Sequence, residues 1–197
     1  MPKSKSIVDY YRARAPEYEQ IYYRDVPERR KEIDDECVKV KAIAKDKTVL
    51  DLACGTGYWS GVASETAKEI VASDIAPEMI IQAKTKKYNC RVEFVMSDLY
   101  HLPFKPNSFD LTFLGFWLSH EPKQNYSVLF DSITVPLKPD GQIWMIDNNP
   151  PAEGSHVDST GADEYGNNLK VRRLDNGNEY VILKNYFSKE ELERILS

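Results

Sequence analysis

The sequence predicts an α/β fold, a doubly wound, mostly parallel sheet with helices on both faces. Short apolar runs alternate with stretches of helical periodicity through the middle of the chain, as strands joined by right-handed crossovers do. One run, Thr48-Val-Leu-Asp-Leu-Ala-Cys-Gly-Thr-Gly57, breaks into two glycines one residue apart just before a helix-forming stretch. Acids recur at strand tips, with Asp51 inside the end of this run, Asp74 closing Glu69-Ile-Val-Ala-Ser-Asp74, and Asp98 closing Arg91-Val-Glu-Phe-Val-Met-Ser-Asp98. In such sheets ligands bind outside the carboxyl ends of the strands, where these acids and His120 converge.

The elements follow in order. Residues 4–44 are rich in Tyr and in charge with helical spacing, so two or three helices broken by Pro16 and Pro27 are expected. They make residues 1–44 an N-terminal cap or lid and leave 45–197 as the main domain. Strands are expected at 48–53, 69–74 and 91–96, and helices at 58–67 and from Ala76-Pro-Glu to about residue 86. His101-Leu-Pro-Phe-Lys-Pro-Asn-Ser is rich in turn formers, so a crossover helix there is short or absent. Residues 109–116 read as a central strand buried on both faces, 123–137 as a helix, Lys138-Pro-Asp-Gly141 as a turn, and 142–147 as a fifth strand. Residues 148–168 read as a loop over the active face. Asp175-Asn-Gly-Asn joins 171–174 to 179–184 as a hairpin, and Ser188-Lys-Glu-Glu191 is a capping box opening a last helix.

Composition narrows the function. The chain of 197 residues has a net charge of −5 and scattered basic residues, which disfavours a nucleic-acid partner because phosphate binding needs clustered Lys and Arg. Cys37, Cys54 and Cys90 form an odd set without paired spacing, which argues against a disulfide scaffold or a zinc site. The expected setting is a reducing cytoplasm, with no secretory signal and no apolar run of about 18 residues to enter a membrane.

Gly55 and Gly57 allow close approach of the backbone to a ligand, and the following helix offers free N–H groups. The position of a third dinucleotide glycine is Ser60, so something other than a pyrophosphate is expected. The carboxylate of Asp74 suits a ribose diol. Together, the loop and the evenly spaced acids resemble a class I S-adenosylmethionine-dependent methyltransferase over residues 45–149, which gives the sheet its family form, a Rossmann-like methyltransferase fold.

The resemblance implies S-adenosyl-L-methionine as cofactor, with S-adenosyl-L-homocysteine as product and no metal. It implies a cofactor set of Tyr11, Asp51, Ala53, Gly55, Gly57, Asp74, Ile75, Met79, Ser97, Asp98, Leu99, Gly115 and Phe116. Asp98 falls at the adenine edge, with Ile75, Met79 and Leu99 suited to sandwich the ring. Phe116 and Trp117 offer aromatic faces to a sulfonium, and His120 is the catalytic candidate, able to take a proton from the acceptor. Tyr11 and Tyr18 resemble a lid, so Tyr18, Trp117 and His120 are the substrate-side residues. Plainer roles stand beside these: a simple turn at the glycines, helix caps for Asp74 and Asp98, core packing for Met79, a cap near Pro122 for His120, and an amphipathic stripe for the tyrosines. Arg172 and Arg173 can meet an anionic acceptor or a partner subunit, or be a solvated pair. His101 and His156 take no role.

The family normally adds two more strands after the last helix, and the sequence has none left for them. Either the chain is truncated, or the hairpin or a second copy of the chain covers the sheet edge. The expected function is methyl transfer to a small molecule. The alternatives are a non-catalytic S-adenosylmethionine-binding protein and a nucleotide-dependent oxidoreductase.

Overall fold

The computed structural model describes residues 7–22, 26–150 and 159–196. Five parallel strands form the main sheet: β1 (Thr48–Leu52), β2 (Glu69–Asp74), β3 (Arg91–Met96), β4 (Phe109–Gly115) and β5 (Leu137–Ile146). Their order is β3-β2-β1-β4-β5. The chain steps outward from β1 on one side, then returns to build the other, so a crevice opens beyond the carboxyl ends of β1 and β4.

Residues of β1 show how both faces are covered. Val49 joins a cluster with Val40 and Ala44 of α2 (Pro27–Ala44) and with Trp59 and Ala63 of α3 (Tyr58–Ala63). Leu50 and Leu52, on the opposite face of the pleat, pack with Leu129 and Ile133 of α5 (Tyr126–Thr134). Leu192 and Ile195 of α6 (Lys189–Leu196) border that second cluster. Double burial explains why β1 and β4 lack polar alternation, and each fully buried Leu contributes about 1.5–3 kcal/mol.

Two helices end earlier than their periodicity suggests. α3 stops at Ala63 and α4 (Pro77–Ala83) stops short of residue 86. In both, the next amides bond three residues back, as in Thr66 N–H to Ala63 O at 3.1 Å and Lys86 N–H to Ala83 O at 3.1 Å, which tightens the final turn. The helix expected over 123–137 is a 3-10 turn at Lys123–Asn125 followed by α5. The expected turn at 138–141 is taken into β5 as a bulge, where pairing jumps from Phe109 with Leu137 to Leu111 with Gln142.

A second, antiparallel sheet holds β6 (Ser159–Ala162), β7 (Asn168–Arg173) and β8 (Glu179–Leu183) in that order. β6 corrects the expectation of a loop throughout 148–168; its small polar residues gave no strand signal, and pairing with β7 creates it. His156 lies outside the described residues. The β7–β8 hairpin does not join the β5 edge; it packs against α1 (Ile7–Arg14) and the 3-10 turn Leu118–His120, with Tyr10, Tyr180 and Ile182 in one cluster. The capping box forms as expected, with Ser188 N–H donating to Glu191 Oε2 at 2.8 Å and Glu191 N–H to Ser188 Oγ at 3.2 Å. No helix among the described residues is long and apolar enough to cross a membrane.

Candidate active site

The chain leaves β1 through a turn in which Ala53, Gly55 and Gly57 have φ of 50°, 56° and 77°. At Gly57 an added Cβ would fall 2.5 Å from the Tyr88 hydroxyl and 3.0 Å from Ala83 Cβ. Gly57→Ala is therefore expected to destabilise the fold by about 1–3 kcal/mol, read as a lower urea midpoint; an unmoved midpoint would contradict the packing described. Ala53 is matched across the crevice by Phe116, which follows β4 with φ of 56° and donates its N–H to Ile146 O at 2.6 Å. Two non-glycine residues in the left-handed region thus sit at adjacent strand ends, a form of strain that gathers at working sites.

Asp51 is buried and accepts a hydrogen bond from Ser60 Oγ, so the residue in place of a third glycine has a partner of its own. Burial pushes the Asp51 carboxyl up to about 7, opposed by the Ser60 hydroxyl and assisted by nearby Asp74. A carboxyl with a raised folded pKa adds stability that is complete below its unfolded value near 3.9 and is lost as pH rises through the folded value. Between about pH 4 and pH 7 the protein is expected to lose stability from this group, and Asp51→Asn should flatten that part of the profile. Denaturant midpoints across that range check it; an equally steep fall in the variant would contradict it.

Asp74 joins two segments of the site. Its Oδ2 accepts Gly55 N–H at 2.9 Å and its Oδ1 accepts Ala76 N–H at 2.8 Å. The second bond is an Asx turn ahead of α4, whose N-cap is Ala76, so the plain cap expected of Asp74 is not what forms. Burial raises the Asp74 pKa and the two amides oppose that rise. Asp98 Oδ1 accepts Tyr100 N–H at 3.0 Å, and the carboxylate stays half-exposed.

Around these groups lie adjoining cavities. One, of about 320 Å³, is lined by Asp74, Ile75, Ser97, Asp98, Leu99 and Trp117, with Tyr11, Ala53 and His120 at its border. A narrow gap bounded by Tyr11, Tyr18, Gly55, Met79, Gly115 and Phe116 continues it, with Asp51 on a smaller neighbouring gap. Beyond lies a cavity of about 1210 Å³, whose wall includes Tyr11, Tyr18, Phe116 and His120. Of the expected site residues only Gly57 lines none of these spaces, and it acts through the turn. Met79 packs with Ala15 and Ala76 and borders the gap.

His120 does not cap the following segment. Its Nδ1 lies 2.6 Å from Leu183 O and therefore carries the proton, leaving Nε2 as the acceptor. Burial first, then the Lys184 ammonium, hold its pKa well below the ordinary value. An imidazole kept neutral in this way is a weaker base than a free one and keeps Nε2 open as an acceptor. The Tyr11 ring meets it edge-on at 5.6 Å between centroids.

Two residues on the cavity walls, Lys184 and Glu121, had no assignment from the sequence. Lys184 is buried and donates to Ser119 Oγ at 2.7 Å and Asp147 Oδ1 at 3.1 Å. Its only signal was strand alternation, which puts it in phase with the buried Tyr180 and Ile182. Glu121, also buried, accepts from the Tyr100 hydroxyl and from Asn125 Nδ2 at 3.1 Å on the wall of the 320 Å³ cavity. Arg172 and Arg173, which the sequence left between an anionic acceptor, a partner subunit and solvent, both line the large cavity.

The profile of the family described as a methyltransferase domain matches residues 49–141, the segment holding the loop, the acids and β1 to β4. Over 96% of its length the chain also superposes on the solved DhpI–SAM–HEP complex, with a TM-score of 0.76, 27% identity and 85% of that chain covered. Domain, relatives and solved neighbours together support a class I S-adenosylmethionine-dependent methyltransferase. The DhpI–SAH complex is similar at 28% identity and a TM-score of 0.73, covering 96% of this chain and 83% of that one. Among curated proteins, the demethylmenaquinone methyltransferase of Bacillus licheniformis is 30% identical over 122 residues, 59% of this chain and 51% of that protein. That of Oceanobacillus iheyensis is 29% identical over 130 residues, 63% of this chain and 54% of that protein. The chain thus spans about half the length of these curated relatives.

The family's cofactor fits the residues present. The Asp74 carboxylate has lone pairs beyond its two backbone bonds, and it borders a largely apolar cavity. The buried Trp117 Nε1, on the same wall, has no hydrogen-bond partner among the described residues.

Proposed function

We propose that the protein transfers the methyl group of S-adenosylmethionine to a small-molecule acceptor held in the 1210 Å³ cavity. The observation carrying this reading is that the cavity bordered by Asp74 and Asp98 and the larger one share Tyr11 and His120 on their walls. Two compartments joined at one point suit a donor and an acceptor that must meet in line.

Asp74 would accept the ribose hydroxyls, while Asp98, Ile75 and Leu99 would enclose the adenine. Asp51 and Ala53 to Gly57 would shape the backbone around the methionine portion, with Gly115, Phe116 and Trp117 opposite. Arg14, whose guanidinium lies over the Tyr18 ring at 5.1 Å, would meet the amino-acid carboxylate. S-adenosylmethionine supplies an electrophilic methyl group, so the chain mainly has to align the acceptor and exclude water. Tyr11 and Tyr18 would close over the junction. Neutral His120 would orient an acceptor through Nε2 without deprotonating a weak acid.

Measuring S-adenosylhomocysteine release from S-adenosylmethionine with a panel of small acceptors tests this, and turnover of at least one is expected. Tight binding of both cofactor forms with no release across anionic, phenolic and amine acceptors would favour the non-catalytic reading. Binding of neither form would overturn both.

A further inference from the structure

We propose that the acceptor carries an oxyanion, a carboxylate or a phosphoryl group, and that Arg172 and Arg173 of β7, with Arg29 of α2, receive its charge. This deepens the methyl-transfer reading and rests on it.

Among the described residues, the wall of the large cavity carries five cationic side chains, Arg14, Arg29, Arg172, Arg173 and Lys184, against two carboxylates, although the whole chain has a net charge of −5. These cations come from α1, α2, β7 and the end of β8, so folding gathers them and no local run of charge accounts for them. Two have work elsewhere. Lys184 is paired with Asp147, and Arg14 donates to the Tyr10 hydroxyl at 2.6 Å beside the cofactor side. Arg29 shares the exposed Glu32 at 3.2 Å and also lies 5.8 Å from the centre of the Phe116 ring. Among the described residues, no carboxylate lies within ion-pair distance of Arg172 or Arg173. Of the two wall carboxylates, Glu17 is engaged, its Oε2 accepting Asp175 N–H at 3.1 Å.

Register explains where Arg172 goes. It stands opposite Tyr180 across the hairpin, on the face that carries the buried Tyr180, Ile182 and Lys184. Its charge is therefore close enough to oppose the charging of both His120 and Lys184. An anion seated here would relieve that repulsion, in surroundings where Coulomb energies exceed those in water. A guanidinium fork matches carboxylate and phosphoryl oxygens in bidentate fashion. An acceptor that arrives ionised also has no proton to surrender, which suits a wall where the His120 imidazole stays neutral.

Calorimetric titration of the S-adenosylhomocysteine-loaded protein with sodium phosphate, and separately with sodium acetate, at low ionic strength tests the proposal. Saturable binding of at least one is expected, weakened tenfold or more by Arg172→Gln combined with Arg173→Gln and unchanged by Arg91→Gln on β3. Saturation by phosphate alone assigns a phosphoryl acceptor, and saturation by acetate alone a carboxylate. Arg173→Gln by itself changes an exposed side chain, and its expected weakening of about threefold keeps the test independent of folding. Saturation by neither ion, or affinities indifferent to both arginines, would overturn the proposal. If S-adenosylhomocysteine itself fails to bind, the methyl-transfer reading falls, and the same titration without it still decides whether the arginines form an anion site.

Discussion

Asp74→Ala is expected to weaken S-adenosylhomocysteine binding by about a hundredfold or more, roughly 2.8 kcal/mol. Two effects add. The variant removes the acceptor proposed for the ribose hydroxyls, and charge-assisted hydrogen bonds of that kind contribute about 1.5–3 kcal/mol. It also frees Gly55 N–H and Ala76 N–H, which Asp74 ties together at 2.9 Å and 2.8 Å, so the loop and the start of α4 lose their shared anchor. Asp74→Asn separates the two effects, because its amide keeps one acceptor but turns the other oxygen into a donor facing donors. Calorimetry on both variants measures this, and wild-type affinity in the alanine variant would remove Asp74 from the cofactor site.

Lys184→Ala is expected to cost about 3–5 kcal/mol of folding stability, because it leaves a mostly buried Asp147 without its cation. The side chains of the pair are only 5% and 13% exposed, so water offers little compensation. Removing Asp147 as well should recover much of the loss, since breaking such a pair costs more than deleting it. Guanidinium midpoints for the two single variants and the double variant form the cycle. A Lys184→Ala loss below about 1 kcal/mol would show that the pair is solvated and weak.

The two sites of these substitutions differ in how visible they were beforehand. Asp74 ends the six-residue strand β2, whose middle residues Ile70, Val71 and Ala72 are apolar, and a strand tip is a position the sequence marks. The bounds of β2 were legible for that reason and those of the edge strand β3 from its alternation, as was the capping box at Ser188, whose chemistry lies within four residues. Lys184 depends on Asp147 and Ser119, brought together only when the hairpin folds over the crevice. The left-handed turns at Ala53 and Phe116 were hidden too, since neither residue type advertises positive φ. β6 exists through pairing with β7, and the early ends of α3 and α4 come from tightened final turns that hydrophobic periodicity does not encode. Arg172 and Arg173 were visible as charges, but only the tertiary arrangement makes them a wall.

A crystal structure with bound S-adenosylhomocysteine tests the central claim most directly. The adenine is expected between Ile75 and Leu99, the ribose hydroxyls on Asp74, and the sulfur at the junction beneath Tyr11, opening toward His120 and the arginine-lined cavity. An adenosyl group bound away from the β1 and β4 ends, or one that leaves Asp74 bonded only to Gly55 and Ala76, would contradict it.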